Sequence, residues 1–241
     1  MFLGCDYKRM YSAVCGIEEN DEFVLEFCLQ FPHRPKNIEQ MKIARYFFHQ
    51  IFKCAFEYAD FLLLIFNPQM IQLLFDANIT NIPLKIHSQQ ANIYIDNEYT
   101  ESFSKFILNH LISSNIAVNI NGINFIEQSR NNLFEILTSG GNRFLSVTYD
   151  WIDSRLYNLI IQHIETSNNV SKIVKDIRFY CVVGDLMTSK RAENIENNVR
   201  SNNLKSTKYL LSNKYVQEMK FYIYNNEFQE REFYVEIKRI N

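Results

Sequence analysis

Residues 86–115 read IHSQQANIYIDNEYTESFSKFILNHLISSN, residues 116–142 IAVNINGINFIEQSRNNLFEILTSGGN, and residues 143–169 RFLSVTYDWIDSRLYNLIIQHIETSNN. A fourth such stretch opens with IRFYCVV at 177–183. Each unit is a short apolar strand followed by an amphipathic helix. When the units are aligned on Asn115, Asn142 and Asn168, the position nine back holds Phe106, Leu133 and Leu159. The position eight back holds Ile107, Phe134 and Ile160, and five back stand His110, Leu137 and His163. These offsets lie on one stripe of a helix, because side chains three to four apart share a face. Asn124 with Glu127 has capping-box spacing, Asp153 can cap the third helix, and Gly140–Gly141 stop the second.

The strand expectations rest on alternation. Ala91, Ile93 and Ile95 alternate with Asn92 and Tyr94. Ile116, Val118 and Ile120 alternate with Asn119 and Asn121, and Val147 and Tyr149 continue the pattern. Strand–helix–strand units of this length build parallel sheets with right-handed crossovers. One unit cannot bury its apolar face alone, so neighbours stack. The expected fold class is therefore α/β: a short, irregular strand–helix repeat array of leucine-rich-repeat-like form, with N-terminal helices and a C-terminal antiparallel strand region.

Outward from that array, residues 1–36 form a strand-like N-terminal segment, clearest at Phe23–Leu29 after a charged turn at Glu18–Asp21. Residues 37–241 form the α/β interaction domain. Within it, 37–80 is a helical cap: Asn37 and Gln40 pair as a capping box, and Met41, Ala44, Phe48, Ile51, Ala55 and Tyr58 follow at helical spacing. Asn67–Pro68 starts a second helix. The strand–helix repeats occupy 84–183. Residues 184–241 are a polar loop through about 206, then β-favouring runs at Lys208–Leu211, Phe221–Tyr224 and Phe233–Ile237, with Asn225–Asn226 turning the last hairpin.

Hydrophobic residues make up 47% of the chain and aromatics 15%, ample for a core, and the net charge of −2 lacks the basic footprint of a nucleic-acid binder. The five cysteines form no CxxC, which fits reduced, mostly buried thiols and an intracellular setting, cytoplasmic or nuclear. MFLGCDYKR reaches charge before any apolar core, so no secretory leader is expected, and FLLLIF at 61–66 is too short to span a bilayer.

No phosphate-binding, dinucleotide-binding, zinc-protease, nucleophile-elbow or EF-hand motif occurs. His110 and His163 share a repeat position that Leu137 fills in the middle unit, which marks a packing site rather than a metal site. Glu135 and Asp153 are unremarkable as acids, and Ser189-Lys190-Arg191 is too short for a nucleic-acid patch. Tyr149 and Trp151 sit at a strand end, where they either anchor a partner or join the core. The reading therefore assigns no catalytic, cofactor-binding or metal residues and no cofactor, expects no enzyme activity, and leaves the partner-binding residues unassigned.

Five segments carry a resemblance: PKNIEQMKIARYFFHQIFKCAFEYADF (35–61), IFNPQMIQLLFD (65–76), FILNHLISSN (106–115), IQHIETSNNVSKIV (161–174) and KRAENIE (190–196). Together they resemble the C-terminal region of a large F-box protein family expanded in plant-parasitic, root-knot-type nematodes. The resemblance covers roughly residues 35–241. It implies the substrate-recognition region of a cullin–RING ubiquitin ligase, with a protein target and, through an F-box, the ligase adaptor and cullin as partners. It implies neither nucleic acid nor membrane. Residues 1–36 lack the Leu-Pro pair and leucine-rich helix that open an F-box, so no adaptor contact is carried over. The alternative is a protein-binding domain independent of ubiquitin, and the remote alternative a small-molecule enzyme marked by a deep pocket with converging polar groups.

Overall fold

The computed structural model describes residues 10–19, 22–32, 36–62, 68–75, 84–96, 103–121, 127–199 and 204–240. Strands β1 (Met10–Glu19) and β2 (Glu22–Pro32) precede α1 (Ile38–Ile51), β3 (Ala55–Leu62) and α2 (Pro68–Leu74). Then come β4 (Ile86–Asp96), α3 (Phe103–His110), β5 (Leu111–Asn121), α4 (Glu127–Ser139), β6 (Phe144–Asp153), α5 (Ser154–Thr166) and β7 (Asp176–Val183). Four strands finish the chain: β8 (Ala192–Val199), β9 (Lys205–Ser212), β10 (Lys220–Gln229) and β11 (Glu232–Arg239). All the strands join one 11-stranded sheet in the order β2-β1-β3-β4-β5-β6-β7-β11-β10-β9-β8. From β3 to β7 the pairings are parallel, and on both flanks they are antiparallel.

This overturns the leucine-rich-repeat-like array. Helices and strands do alternate from β3 to β7, but they are the centre of one open mixed sheet in which strand outweighs helix. The units are also not equivalent. Asn115 does not close a helix; it lies inside β5, because α3 ends at His110 and the next strand starts at once. A solenoid ends where its last unit is capped. Here the hydrogen-bond ladder runs on into antiparallel hairpins at both ends, so no stacked array is terminated.

Three further expectations change. The helical cap does not run to Tyr58. α1 stops at Ile51, the N–H groups of Lys53 and Cys54 tighten onto Gln50 and Ile51, and Ala55 begins β3. Over so few residues, Ala55 and Ala59, four apart, satisfy both the helix and the strand periods. The polar loop at 184–206 contains edge strand β8, whose bulge at Glu193–Glu196 holds Asn194 at φ 54. The last hairpin turns at Glu230–Arg231, with Arg231 at φ 60, and Asn225 and Asn226 stay inside β10. The caps at Asn37 and Asp153 form as the spacing predicts: Gln40 N donates to Asn37 Oδ1 at 2.9 Å and Leu156 N to Asp153 Oδ1 at 3.1 Å. Asn20, Asp21, Asn67 and Asn124 lie outside the described residues.

Register assembles the core. Ala59, Ala91, Ile116, Val147, Ile177, Ile237, Ile223 and Tyr209 stand side by side across eight strands, and all are buried. Two residues along runs a second row, Phe61, Ile93, Val118, Tyr149, Phe179, Val235 and Asn225. Each buried Ile or Phe contributes about 1.5–3 kcal/mol relative to exposure. The helices cover this face. Right-handed crossovers between sequential strands put them on one side, where α2 packs on α3, α3 on α4 and α4 on α5. Phe106 of α3 meets Phe61 of β3 with ring centroids 5.9 Å apart. Tyr157 of α5 reaches the antiparallel half, its hydroxyl 2.9 Å from Tyr209 Oη and accepting from Asn225 Nδ2 at 3.0 Å. The buried Tyr157 hydroxyl thus satisfies the Asn225 amide N–H in the core, while Asn225 Oδ1 has no donor among the described residues.

Candidate functional site

Side chains alternate across a strand, so the residues between the two core rows emerge on the other face, which carries no helix among the described residues. One row reads Asp60, Asn92, Ala117, Thr148, Arg178, Glu236, Tyr224, Lys208 and Glu196, a single register line across nine strands. The neighbouring row reads Tyr58, Gln90, Asn115, Ser146, Asp176, Lys238, Tyr222, Leu210 and Glu193. On the other side of the first row, Tyr94 pairs with Asn119. Most of these side chains are half-buried, packed against one another but open above.

The antiparallel half of this face is salt-bridged. Arg178 donates to Asp176 Oδ2 at 2.6 Å and approaches Glu236 Oε1 at 3.5 Å, and Lys238 reaches the same Glu236 oxygen at 2.5 Å. Burial pulls the Arg178 pKa down, but the hydrogen bond to Asp176 and the charges of Asp176, Tyr234 and Glu236 together outweigh it and hold the pKa above the ordinary value. Tyr234 bridges Tyr180 and Tyr224, at centroid distances of 6.1 and 6.4 Å, and Lys208 lies over the Tyr224 ring at 5.8 Å. Burial and then the charge of Glu236 raise the Tyr234 pKa.

The parallel half is different. Asn92 Nδ2 donates to Tyr58 Oη, and Tyr58 hydrogen-bonds Asp60. Burial and then Asp60 push Tyr58 up to about 12. Among the described residues Asp60 Oδ1 and Asn119 Oδ1 are buried acceptor atoms with no donor, and so are Asp176 Oδ1 and Asn226 Oδ1 farther along the sheet.

The two strand-end aromatics separate. Tyr149 is core, stacked on Phe179 at 6.0 Å. Trp151 keeps 36% of its surface. A bulge explains this: Tyr180 and Cys181 together oppose only Tyr234, so Ile152 and Val182, not Trp151 and Cys181, enter the core beyond it. Bulges of this kind re-aim side chains at sheet rims.

The remaining sequence candidates sit in packing roles. His110 is buried at the end of α3, its Nδ1 2.9 Å from Leu84 O and its ring stacked 6.2 Å from Phe106. His163 meets the Phe134 ring edge-on at 5.3 Å. Burial lowers the pKa of both. No group of three or more His, Cys, Asp or Glu able to hold a metal ion occurs among the described residues. Asp153 pairs with Arg130, Glu135 is exposed, and Ser189 Oγ accepts from Arg191 N at 3.0 Å. Cys54 is exposed rather than buried, because it follows the α1 cap instead of continuing the helix; Cys181 is half-buried, its thiol pushed up by burial and Glu232. No helix among the described residues is long and apolar enough to cross a membrane.

Sequence reasoning placed Tyr58 on a helix, named Asn92, Tyr94 and Asn119 only as alternating strand positions, and assigned none of them, nor Asp60 or Thr148, to a site. A signal was present: these are the polar partners in each strand alternation, and β3 to β6 contain no Lys or Arg. No curated protein and no solved structure matches the chain. The model of a family described as "Domain of unknown function (DUF8381)" matches residues 1–121, half of the chain, running through β5, and the chain belongs to that family.

Proposed function

We propose that this chain is a protein-recognition module that captures its partner on the helix-free face of the sheet and performs no chemistry of its own. The observation that carries this reading is the asymmetry of the sheet. One face is sealed by helices, while the other presents in-register Tyr, Asn, Thr and Asp side chains over the whole parallel half. Tyrosine offers large contact area at small entropic cost, and Asn and Thr adapt their hydrogen bonds, which is the composition of recognition surfaces. A rigid sheet holds these groups in place before binding, which lowers the ordering cost of association.

The resemblance to F-box substrate receptors supports a role by proximity: a target held on this face beside a ligase gains effective concentration there. In that reading, the adaptor and cullin are further partners. The test centres on Ala117, a small half-buried residue in the middle of the outer row. Tagged wild-type chain and Ala117→Arg are used to capture partners from the source organism's lysate, with Glu135→Arg on α4 as a control on the helical side. Ala117→Arg is expected to lose a partner that the wild type and Glu135→Arg both retain. Identical captures by all three would refute the assignment of this face. Adaptor and cullin among the retained proteins would identify the ligase role.

A further inference from the structure

The helix-free face is electrically divided. Its antiparallel half pairs Arg178 with Asp176 and Glu236, Lys238 with Glu236 and Lys220 with Glu193, and sets Lys208 over the Tyr224 ring. Its parallel half has no such cations: of the 25 Lys and Arg in the chain, none lies in β3, β4, β5 or β6, whereas Asp60, Asp150 and Asp153 do. Asp153 is neutralised by Arg130 and turned to the α5 N-terminus. Among the described residues Asp60 is tied to neutral Tyr58, and its Oδ1 has no donor. Asp150 stands exposed beside Trp151, its carboxyl pKa raised by partial burial, with no cation paired with it among the described residues. Asn119 Oδ1 between them also lacks a donor. The patch is thus a surplus of acceptors and negative charge flanked by tyrosine rings, a field that attracts cations.

We infer that the partner segment bound on β3–β6 is an extended basic polypeptide, with one Lys or Arg at Asp60 and another at Asp150. This rests on the recognition reading above and names the partner's chemistry. The spacing follows from the sheet. Three strand steps of about 4.8 Å and two residues along β6 at about 3.3 Å each put the two carboxylates on the order of 16 Å apart. In an extended segment, residues point to the same side every second position, so cations about four residues apart span about 13 Å between Cα atoms, and side-chain length closes the rest. Arginine fits better than lysine, because its planar head also stacks on the Tyr58 and Tyr94 rings while donating to the orphan acceptors.

The lone tryptophan, Trp151, lies next to Asp150 and reports binding by its fluorescence. The wild-type chain is titrated at low ionic strength with a Gly/Ser peptide carrying two Arg four positions apart, the same peptide with Glu for Arg, and one with the two Arg adjacent. The spaced Arg peptide is expected to bind tightest, the Glu peptide not at all, and added salt to weaken the complex. Asp60→Asn and Asp150→Asn should each weaken it two- to fivefold, the range for one partly exposed ion pair, and the double variant multiplicatively. Asp150 is exposed, so Asp150→Asn keeps the fold even if Asp60→Asn disturbs it.

Equal binding of the Glu peptide, no binding of any Arg peptide, or unchanged affinity in Asp150→Asn would overturn the inference. If that happens while Ala117→Arg still loses its captured partner, the basic chemistry fails and the recognition face stands. If Ala117→Arg loses nothing, the recognition face fails as well.

Discussion

Replacing Asp153 by Ala removes two interactions at once. Its carboxylate accepts from Leu156 N and caps α5, and it grips Arg130 of α4 with Nε to Oδ1 at 3.3 Å and Nη2 to Oδ2 at 2.7 Å. The Arg130 side chain is only 10% exposed and that of Asp153 23%. Loss of an N-cap costs about 1 kcal/mol. Stranding a buried guanidinium costs about 3–5 kcal/mol, and because Arg130 retains a small opening to water, the lower end applies. The expected total is about 4 kcal/mol, a large share of the roughly 5–15 kcal/mol that holds a domain together. Asp153→Asn keeps the cap and one neutral acceptor, so about 2 kcal/mol is expected. Adding Arg130→Leu to Asp153→Asn removes the stranded charge and should recover most of that loss. Urea unfolding reads all of these through midpoint shifts at constant slope. If Asp153→Ala costs no more than about 1 kcal/mol, the cap is all that matters and the seam between α4 and α5 is not held by this pair.

Tyr157→Phe should cost about 2–3 kcal/mol in the same assay, because it leaves the buried Tyr209 hydroxyl and Asn225 amide without their shared partner; a loss below about 0.5 kcal/mol would mean the network adds nothing. His163 has a folded pKa lowered by burial from its ordinary 6.5. Stability linked to it is full above that value and declines as the pH falls through the folded pKa. His163→Leu should flatten that decline between neutrality and pH 5, and an unchanged profile would assign the decline elsewhere. Gly141→Ala should destabilise by about 1–3 kcal/mol, because a Cβ there meets the carbonyl oxygens of Ile173 and Lys172 at 2.5 and 2.6 Å. Those are backbone atoms and cannot swing away, so a thermal midpoint equal to the wild type would refute the close approach.

Local chemistry was legible wherever a few residues decide it. The caps at Asn37 and Asp153 could be read because donor and acceptor lie three residues apart. The strands from Ile86 to Val183 could be read because alternation over six or more residues excludes a helix. The helix run past Ile51 was misread where Ala55 to Ala59 fit both periods, and β3 won because its backbone finds β1 and β4 on either side. The Asn225–Asn226 turn was misread because asparagine's turn preference is weak beside a strand register that gives Asn225 a buried hydroxyl partner 68 residues away. The histidines were read as packing residues from Leu137, though the helix alignment behind that comparison failed at Asn115.

By itself the sequence determined the alternation of strands and helices through the centre of the chain, the apolar set available for a core, and the absence of familiar catalytic motifs. Each of these depends on residues close together or on composition. Only the tertiary structure decided that those strands form one open sheet bounded by antiparallel hairpins, and that its uncovered face aligns Asp60 with Thr148 and Glu196. The reason is register. A one-residue slip between two strands would send every side chain of the row to the opposite face. That choice is made by packing between residues far apart in the chain, not by the preferences of any one segment.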